Sequence, residues 1–442
     1  MLVIICICDF LLNGIHFLLG MTKTIIKDRV IKMEKNGCLT TNRVTVLLTF
    51  IFMFLFLPEY VQINTLIRYI YYVIGSIISI YFCLNGILAL RKKVNRCCVH
   101  FLYEVIVFYT ILLSATVINS GQLKTAYFAH AAIGIGACSL VLYEFNKHKA
   151  ENILKALIIS LEIYVTINLI SVFVYPDGLY VLSSFSGDTT NAGYILGHRN
   201  NSIEYCIPLV GFNILLDLYQ NKKYTINHCY CLFISIITVV LTWSVNAILC
   251  MIFITVMDLY VVKKEKAFIG IKNLYLSSAC LSVLIIVYNV QSYFSDFLTS
   301  FFHRSVTFSS RTRIWSKSLE AICNNYLFGY GIEENVVKYQ RIGHPNSCHN
   351  YFLDFLYYGG IVLLVDVSAM ILSIVRRFKN LDSIIKSRIA VVFGSYFILW
   401  IATPIHRNYL FIMFVFFMSS ISIPWEKRVQ CDDGKKFAED LN

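Results

Sequence analysis

Charged residues and prolines are scarce in this chain. Only 14% of its residues are charged, against roughly a quarter in soluble globular proteins, and the whole chain contains six prolines. Hydrophobic residues make up 57%, and the mean hydropathy is +0.66. These values exclude an ordinary soluble protein. The chain also lacks the alternation of apolar and polar residues that an outer-membrane β-barrel requires.

Apolar runs of about twenty residues recur along the chain, which predicts an all-α, polytopic integral membrane protein. We predict about twelve transmembrane helices, with one long outer loop between spans nine and ten. The only polar break in the long apolar run 229–262 is Trp243-Ser244-Val245-Asn246, so a tight turn is predicted there. The spans cover approximately residues 44–64, 69–90, 101–118, 124–144, 153–175, 204–219, 228–243, 245–262, 273–291, 351–375, 388–404 and 409–424.

The first twenty residues are apolar but do not have the pattern of a signal peptide. No basic residue precedes them, Asp9 interrupts them, and no small-residue cleavage site follows. They are either an extra span or the result of a wrongly assigned start, with Met21 or Met33 as the true one. We therefore predict an N-terminal segment 1–43 that is cytoplasmic from about residue 22. A membrane domain 44–424 and a cytoplasmic tail 425–442 follow it.

Basic residues predict the orientation, because cytoplasmic loops of membrane proteins are enriched in Lys and Arg. Every second loop is rich in them, and this pattern places two long loops, 176–203 and 292–350, outside. The formal charge of +12 is then mainly a topology signal, and the basic inner surface needs no nucleic acid to explain it. The basic inner segments are 23–43, 91–96, 147–155, 222–223, 263–272, 376–388 and the C-terminal tail.

The sequence also lacks the residue spacings that are typical of metal ligands and of redox-active cysteines. Most of the fifteen cysteines lie in apolar runs, where cysteine behaves as a small hydrophobic residue. No pair of them has the spacing of a zinc site, and the outer loops contain no Asp-x-Asp motif or histidine-rich cluster. The sequence predicts no metal and no cofactor.

Several arginines lie in the predicted outer segments, although Arg is disfavoured there. Long loops partly escape that rule, so ordinary surface charge is one explanation. The other is function, since a guanidinium can hold a phosphate or carboxylate through two parallel hydrogen bonds. We favour function for Arg311 and Arg199, leave both explanations open for Arg304 and Arg313, and predict that Lys338 and Arg341 are solvated charges.

Short motifs follow one another between residues 309 and 360. Trp315, Leu319 and Ile322 recur at helical spacing, which predicts an amphipathic outer helix from about Ile314 to Asn325 with Arg311 at its N-terminal approach. Glycines 329 and 331 allow a close turn. The motifs are Ser309-Ser310-Arg311-Thr312-Arg313-Ile314-Trp315, Leu327-Phe328-Gly329-Tyr330-Gly331, His349-Asn350-Tyr351-Phe352-Leu353 and Tyr358-Gly359-Gly360.

In this order and spacing the motifs resemble those of the O-antigen ligase and polysaccharide polymerase superfamily. The resemblance implies a metal-independent enzyme in the cytoplasmic membrane of a bacterium. It would join undecaprenyl-diphosphate-linked repeat units on the outer face, for a capsule, exopolysaccharide or O-antigen. Arg311 and His349 would be catalytic, with His349 as base or orienter of the acceptor hydroxyl. Substrate binding would involve Arg199, Arg313, Arg304, Asn350, Trp315 and Arg407.

The partners implied are the lipid-linked oligosaccharide, membrane lipid, and as candidates a flippase and a chain-length regulator; nucleic acid is not among them. One departure from the family pattern concerns the turn between spans seven and eight. The family has Ser-Arg-x-Ala there, whereas this chain has Ser244-Val245-Asn246-Ala247. The missing Arg puts a role for this turn in doubt unless Arg199 or Arg407 compensates.

The sequence is also compatible with two alternative functions. A ligase of the same superfamily would need the same hold on a diphosphate. A flippase or other multispan transporter would instead depend on intramembrane acids, of which Glu162 and Asp366 lie near the middle of spans five and ten. Transporters commonly show internal repeats and Gly- or Pro-broken helices at matching positions, and the sequence shows no such repeat.

Overall fold

A computed structural model of the protein describes residues 37–89, 96–120, 124–182, 191–266, 270–290, 311–405 and 410–425. Helices dominate these residues. They are α1 Gly37–Leu55, α2 Glu59–Gln62, α3 Thr65–Ala89, α4 Arg96–Ser120, α5 Thr125–Lys147, α6 Ala150–Val174, α7 Ile203–Tyr219, α8 Ile226–Leu241, α9 Val245–Lys264, α10 Ile271–Ile286, α11 Arg311–Asn324, α12 Asn335–Ile342, α13 Tyr351–Phe378, α14 Ser383–Ala402 and α15 Leu410–Ser422.

The all-α polytopic membrane class is confirmed. Each of the twelve predicted spans coincides with a helix, and seven of the described helices are long and apolar enough to cross a membrane unaided. Those seven are α3, α4, α5, α6, α9, α13 and α14; shorter apolar helices lie in α1, α8, α10 and α15. The predicted turn between spans seven and eight is also present, since α8 ends at Leu241, Trp243 has φ +51° and α9 begins at Val245.

The core of the bundle lies among α7, α14 and α15, which are buried on nearly every side. Around them, α3 packs against α5, α4 against α13, α6 against α1 and α7, and α9 and α10 against α14. Helix α3 exposes large apolar side chains such as Leu66, Val73 and Ile77. An apolar face of this kind is what a helix presents to lipid, because lipid tails are as apolar as the side chains themselves.

The segment between α6 and α7, predicted to be an outer loop, contains strands, which the all-α prediction did not include. Strand β1 (Tyr180–Leu182) pairs antiparallel with β2 (Asn191–Tyr194), and β2 pairs antiparallel with β3 (Gly197–His198). The register places Tyr180 opposite Gly193, and Gly193 opposite His198. The amide Nδ2 of Asn201 donates to Glu59 at 3.0 Å. This contact holds the small sheet against α2 and so keeps the first long loop close to the bundle.

Helix α13 is broken at Gly360, where φ is +63° and ψ is −161°. A break frees backbone groups that lipid cannot satisfy. Here the turn formed by residues 326–331 satisfies them: the N–H groups of Tyr330 and Gly331 donate to the carbonyls of residues 357 and 358, at 2.7 and 2.9 Å. A Cβ at Gly329 would lie 2.6 Å from the Tyr357 carbonyl oxygen. The predicted close turn is thus confirmed, and it is shaped to fit the broken helix.

A buried ion pair joins α9 to α14. The Arg388 guanidinium, 2% exposed, donates to both carboxylate oxygens of Asp258, at 2.7 and 3.0 Å. The hydroxyl of Tyr224 donates to the same carboxylate at 2.9 Å. Two parallel hydrogen bonds are the strongest geometry available to an Arg–carboxylate pair. The pair therefore links α9 to α14, and removing either partner alone would leave an uncompensated charge in the bundle.

Single substitutions in this pair should destabilise the protein strongly. Removing one partner of a buried pair costs about 3–5 kcal/mol, because the other charge stays buried without compensation. We expect Arg388→Met and Asp258→Asn each to lower the midpoint of thermal unfolding in detergent, and the double variant to recover part of the loss. The exposed Lys264→Met provides the control. Equal midpoints for the single variants and the control would contradict a structural role for the pair.

The orientation is tested by labelling single cysteines in intact cells. Cys323 is exposed in the last turn of α11, and Lys222 is exposed directly after α7. We expect a variant that retains only Cys323 to react with a membrane-impermeant maleimide. A variant with only Lys222→Cys should react after the membrane is permeabilised. The reverse pattern would invert the topology, and an outer-face reaction would then be excluded.

Candidate functional site

The C-terminal end of α14 is the point at which the candidate site is assembled. Thr403 has extended backbone, as expected for a residue before a proline, so the helix ends at Ala402. The last four carbonyls of any helix lack partners within it. Here three of them accept hydrogen bonds from other elements: Leu399 from Asn246 of α9 at 3.3 Å, Ile401 from Asn350 at 2.9 Å and Ala402 from Arg311 at 2.9 Å.

Arg311 is the first residue of α11, as the sequence predicted for the approach to that helix. Its Nη1 donates to the Ala402 carbonyl, and the negative end of the α14 dipole favours a cation at this place. A guanidinium carries five N–H donors, so this bond uses one of them and fixes the direction of the group. An arginine fixed in this way is preorganised to bind an oxyanion.

Asn350 and His349 begin α13. The side chain of Asn350 is the N-cap: it accepts from the N–H of Leu353 at 3.1 Å and donates to Ser282 and Ile401. His349, one residue earlier, has φ +56°. A non-glycine residue in that region is strained, and such strain persists where the surroundings demand it. The left-handed backbone of His349 therefore indicates that its position is determined by its surroundings.

Asp354 bonds both to the segment before α13 and to the segment after α14. It is fully buried, and its two carboxylate oxygens accept from the N–H groups of Cys348 at 2.7 Å and Ile405 at 3.1 Å. One residue thus ties the segment before α13 to the segment after α14. No role was predicted for Asp354 from the sequence. Its spacing of four from Asn350 was the available signal.

The prediction that Lys338 is a solvated charge is wrong. Lys338 is 2% exposed, and its Nζ donates to the Tyr358 hydroxyl at 2.6 Å and to the Asn346 carbonyl at 3.1 Å. Burial by itself would lower its pKa, but Tyr358, Asp354 and Cys348 around it raise the pKa on balance. Arg341 is not simply solvated either, because its guanidinium lies 3.7 Å from the Tyr330 ring centroid and pairs with Glu333 at 3.0 Å.

His344 lies against His349, with the two Nε2 atoms 3.1 Å apart. Burial, and after it the positive charge of Lys338, lowers the pKa of His344 to about 4; Arg311 adds a smaller contribution in the same direction. This electrostatic influence of Arg311 places the guanidinium close to the histidine pair. Arg311, His344 and His349 therefore form one cluster, of which the first and the last were identified from the sequence.

Arg199 lies in the first outer loop, directly after β3. Its carbonyl accepts from Ser202 at 3.3 Å, and its guanidinium lies within electrostatic reach of Tyr194. Five residues further on, the buried Glu204 lies within electrostatic reach of Tyr351, the first residue of α13. The beginning of α7, which directly follows the loop that carries Arg199, therefore lies near the beginning of α13. Arg199 is thus on the same side of the bundle as His349.

The remaining predicted site residues differ in their placement. Arg313 is exposed on α11. Trp315 is 2% exposed and belongs mainly to the core, although it also lines a cleft of about 370 Å³ between α11 and the outer end of α10. Apolar side chains such as Ile286, Val287 and Leu319 line the same cleft. Arg304 and Arg407 lie outside the described residues.

The turn in which the family arginine is missing still takes part in the site. Val245 stands where the family has arginine, and the next residue, Asn246, donates to the Thr403 hydroxyl at 2.6 Å as well as to the Leu399 carbonyl. The intramembrane acids of the transporter alternative make contacts between helices instead. Glu162 on α6 accepts from Cys231 on α8 at 3.7 Å, and Asp366 on α13 is within electrostatic reach of Glu104 on α4. In the described part of the chain, no group of three His, Cys, Asp or Glu residues could hold a metal ion.

Comparison with known proteins gives one family. Residues 230–366 match the family model described as O-Antigen ligase, and no curated protein matches the chain. The matched residues include Asn246, Arg311, the 326–331 turn, His349 and the break at Gly360. Over this range the chain is similar to the O-antigen ligase family, and this similarity supports a place in the O-antigen ligase and polymerase superfamily, whose members are glycosyl-transferring membrane proteins.

Proposed function

We propose that this protein is a polysaccharide polymerase that joins undecaprenyl-diphosphate-linked repeat units on the outer face of a bacterial cytoplasmic membrane. The observation that carries the proposal is the outer end of α14, where one helix terminus fixes both Arg311 and the start of α13 that bears His349. A cation prepared for an oxyanion then lies beside a histidine. Glycosyl transfer from a diphosphate needs these two groups.

Arg311 would bind the diphosphate of the donor, with Arg199 as a second cation from the first outer loop. The bond between the sugar carbon and the diphosphate oxygen breaks, and negative charge develops on the leaving diphosphate. A fixed guanidinium stabilises that charge without having to reorganise during the reaction. The apolar cleft lined by Trp315 and Leu319 lies directly beside Arg311 on α11 and would receive part of the lipid chain.

His349 would act on the attacking hydroxyl of the acceptor unit. The hydroxyl oxygen forms the new glycosidic bond and loses its proton, either to His349 as base or to solvent while His349 orients the hydroxyl. Exposed tyrosines and Arg313 near the cluster would contact sugar rings. The ligase alternative uses the same donor site, and it is distinguished by its product, in which the glycan leaves the lipid carrier for a different acceptor.

The first test concerns the shape of the Arg311 side chain. Arg311→Lys keeps the positive charge but loses the planar group that binds a diphosphate through two parallel bonds. We expect polymer to fall to a small fraction of wild type while the protein inserts normally, as measured by polymer chain length on gels and by protein level in membranes.

The matched control for Arg311 is Arg96→Lys, at an exposed position at the inner end of α4. Arg341 is unsuitable because its guanidinium packs on Tyr330 and pairs with Glu333. If Arg311→Lys and Arg96→Lys both retained wild-type polymer, Arg311 would not hold the diphosphate.

The second test concerns His349. A positioned base contributes about a hundred- to ten-thousand-fold in rate, so His349→Ala should leave single repeat units on the lipid carrier and little long chain. His349→Gln retains hydrogen bonding but cannot take a proton, so residual polymer in this variant measures the orienting role. The control is His100→Gln on α4, where the side chain is exposed and the amide can still donate to its neighbour Glu104. Wild-type chain length in His349→Ala would remove His349 from the mechanism.

A further inference from the structure

The segment between α12 and α13 contains a second histidine whose ring is held by its own backbone. The Nδ1 atom of His344 lies 3.3 Å from the backbone nitrogens of both Asn346 and Ser347, and these N–H groups donate to it. A nitrogen that accepts two hydrogen bonds carries no proton. In neutral His344 the ring proton is therefore on Nε2.

That proton points at His349. The Nε2 of His344 lies 3.1 Å from the Nε2 of His349. Because the His344 nitrogen is the donor, the His349 nitrogen accepts, and the proton of a neutral His349 ring must be on Nδ1. The hydrogen bonds of one turn thus decide the tautomer of the next histidine.

The groups around His344 and His349 keep His344 neutral and so preserve these hydrogen bonds. His344 faces Lys338 from α12, Arg311 from α11 and His349 from its own segment, and Lys338 in turn faces Asp354 from α13. Burial and these cations lower the pKa of His344 to about 4. His344 is therefore neutral at any pH above about 5. Lys338 also holds the turn itself, since its Nζ donates to the Asn346 carbonyl at 3.1 Å.

We infer that His344 is the positioning residue of His349: it holds the ring and assigns its proton to Nδ1. In that state the Nε2 lone pair of His349 is occupied by His344, so His349 cannot take a proton at Nε2 while this hydrogen bond is intact. This inference rests on the proposed function for its catalytic meaning. The tautomers themselves do not depend on any substrate.

Two substitutions of His344 separate its two contacts. His344→Asn places an amide oxygen near the position of Nδ1, so it can still accept from the turn, but it lacks a donor that reaches His349. His344→Gln extends an amide N–H to the position of Nε2 and loses the acceptor in the turn. If His344 positions His349, the Gln variant should keep at least about tenfold more polymerisation than the Asn variant, because a wrong tautomer removes the functional form of a ring.

The assay uses full-length protein in lipid vesicles, with lipid-linked repeat units accumulated by a strain that lacks this chain. A merely structural role in the turn predicts the opposite order, with the Asn variant active and the Gln variant inactive, and that result would overturn the inference. Equal, wild-type activity of both variants would overturn it as well.

A second readout needs no sugar substrate. In ¹⁵N-histidine-labelled protein, the side-chain resonances of His344 and His349 are assigned by their loss in the His344→Asn and His349→Gln variants. We expect His344 to be protonated at Nε2 and His349 at Nδ1 at pH 7, with His344 titrating near pH 4 rather than near its ordinary value of about 6.5. Averaged tautomers, or a proton on His344 Nδ1, would refute the pairing. Fixed tautomers in a protein that forms no polymer would instead refute the proposed function.

Discussion

The structure depends on how the carbonyl end of α14 is satisfied. The helix must stop before Pro404, and its final carbonyls lie where a membrane protein cannot leave polar groups without partners. Side chains from three other elements fill this need: Asn246, Arg311 and Asn350. Each contact satisfies a backbone group and at the same time fixes a side chain of the candidate site. Structural and functional demands are thus met by the same hydrogen bonds.

The break in α13 is a second place where another part of the chain satisfies backbone groups that a helix leaves without partners. At Gly360 the helix gives up its own hydrogen bonds, and the turn of residues 326–331 replaces them with backbone donors and acceptors of its own. The turn leads through Glu333 and α12 to Lys338 and the histidine pair. The motif around Gly329 and the motif around Gly360 are well separated along the chain, but their backbones bond to each other. Their spacing matters because each motif provides hydrogen-bond partners for the backbone groups of the other.

Buried charge has two uses in this bundle. At the inner side, the Arg388–Asp258 pair neutralises itself through two hydrogen bonds and links α9 to α14. At the candidate site, burial first, and then the positive charges of Lys338 and Arg311, lower the pKa of His344 and keep it neutral. Compensation within a pair suits structure, whereas a local excess of positive charge suits a site that would receive a diphosphate. This contrast supports the outer end as the working end.

The sequence by itself determined the class of the protein, the position of its helices and two members of the site. Long apolar runs can satisfy their backbone in lipid only as helices, so the twelve predicted spans coincide with helices. Arg311 and His349 were found because their neighbours form a recognisable local pattern. Tertiary structure alone decided that Lys338 is buried, that His344 contacts His349, and that Asp354 joins α13 to the segment after α14. These facts depend on contacts between elements distant in the chain, or on the exact direction of a turn, and neither hydropathy nor spacing contains that information.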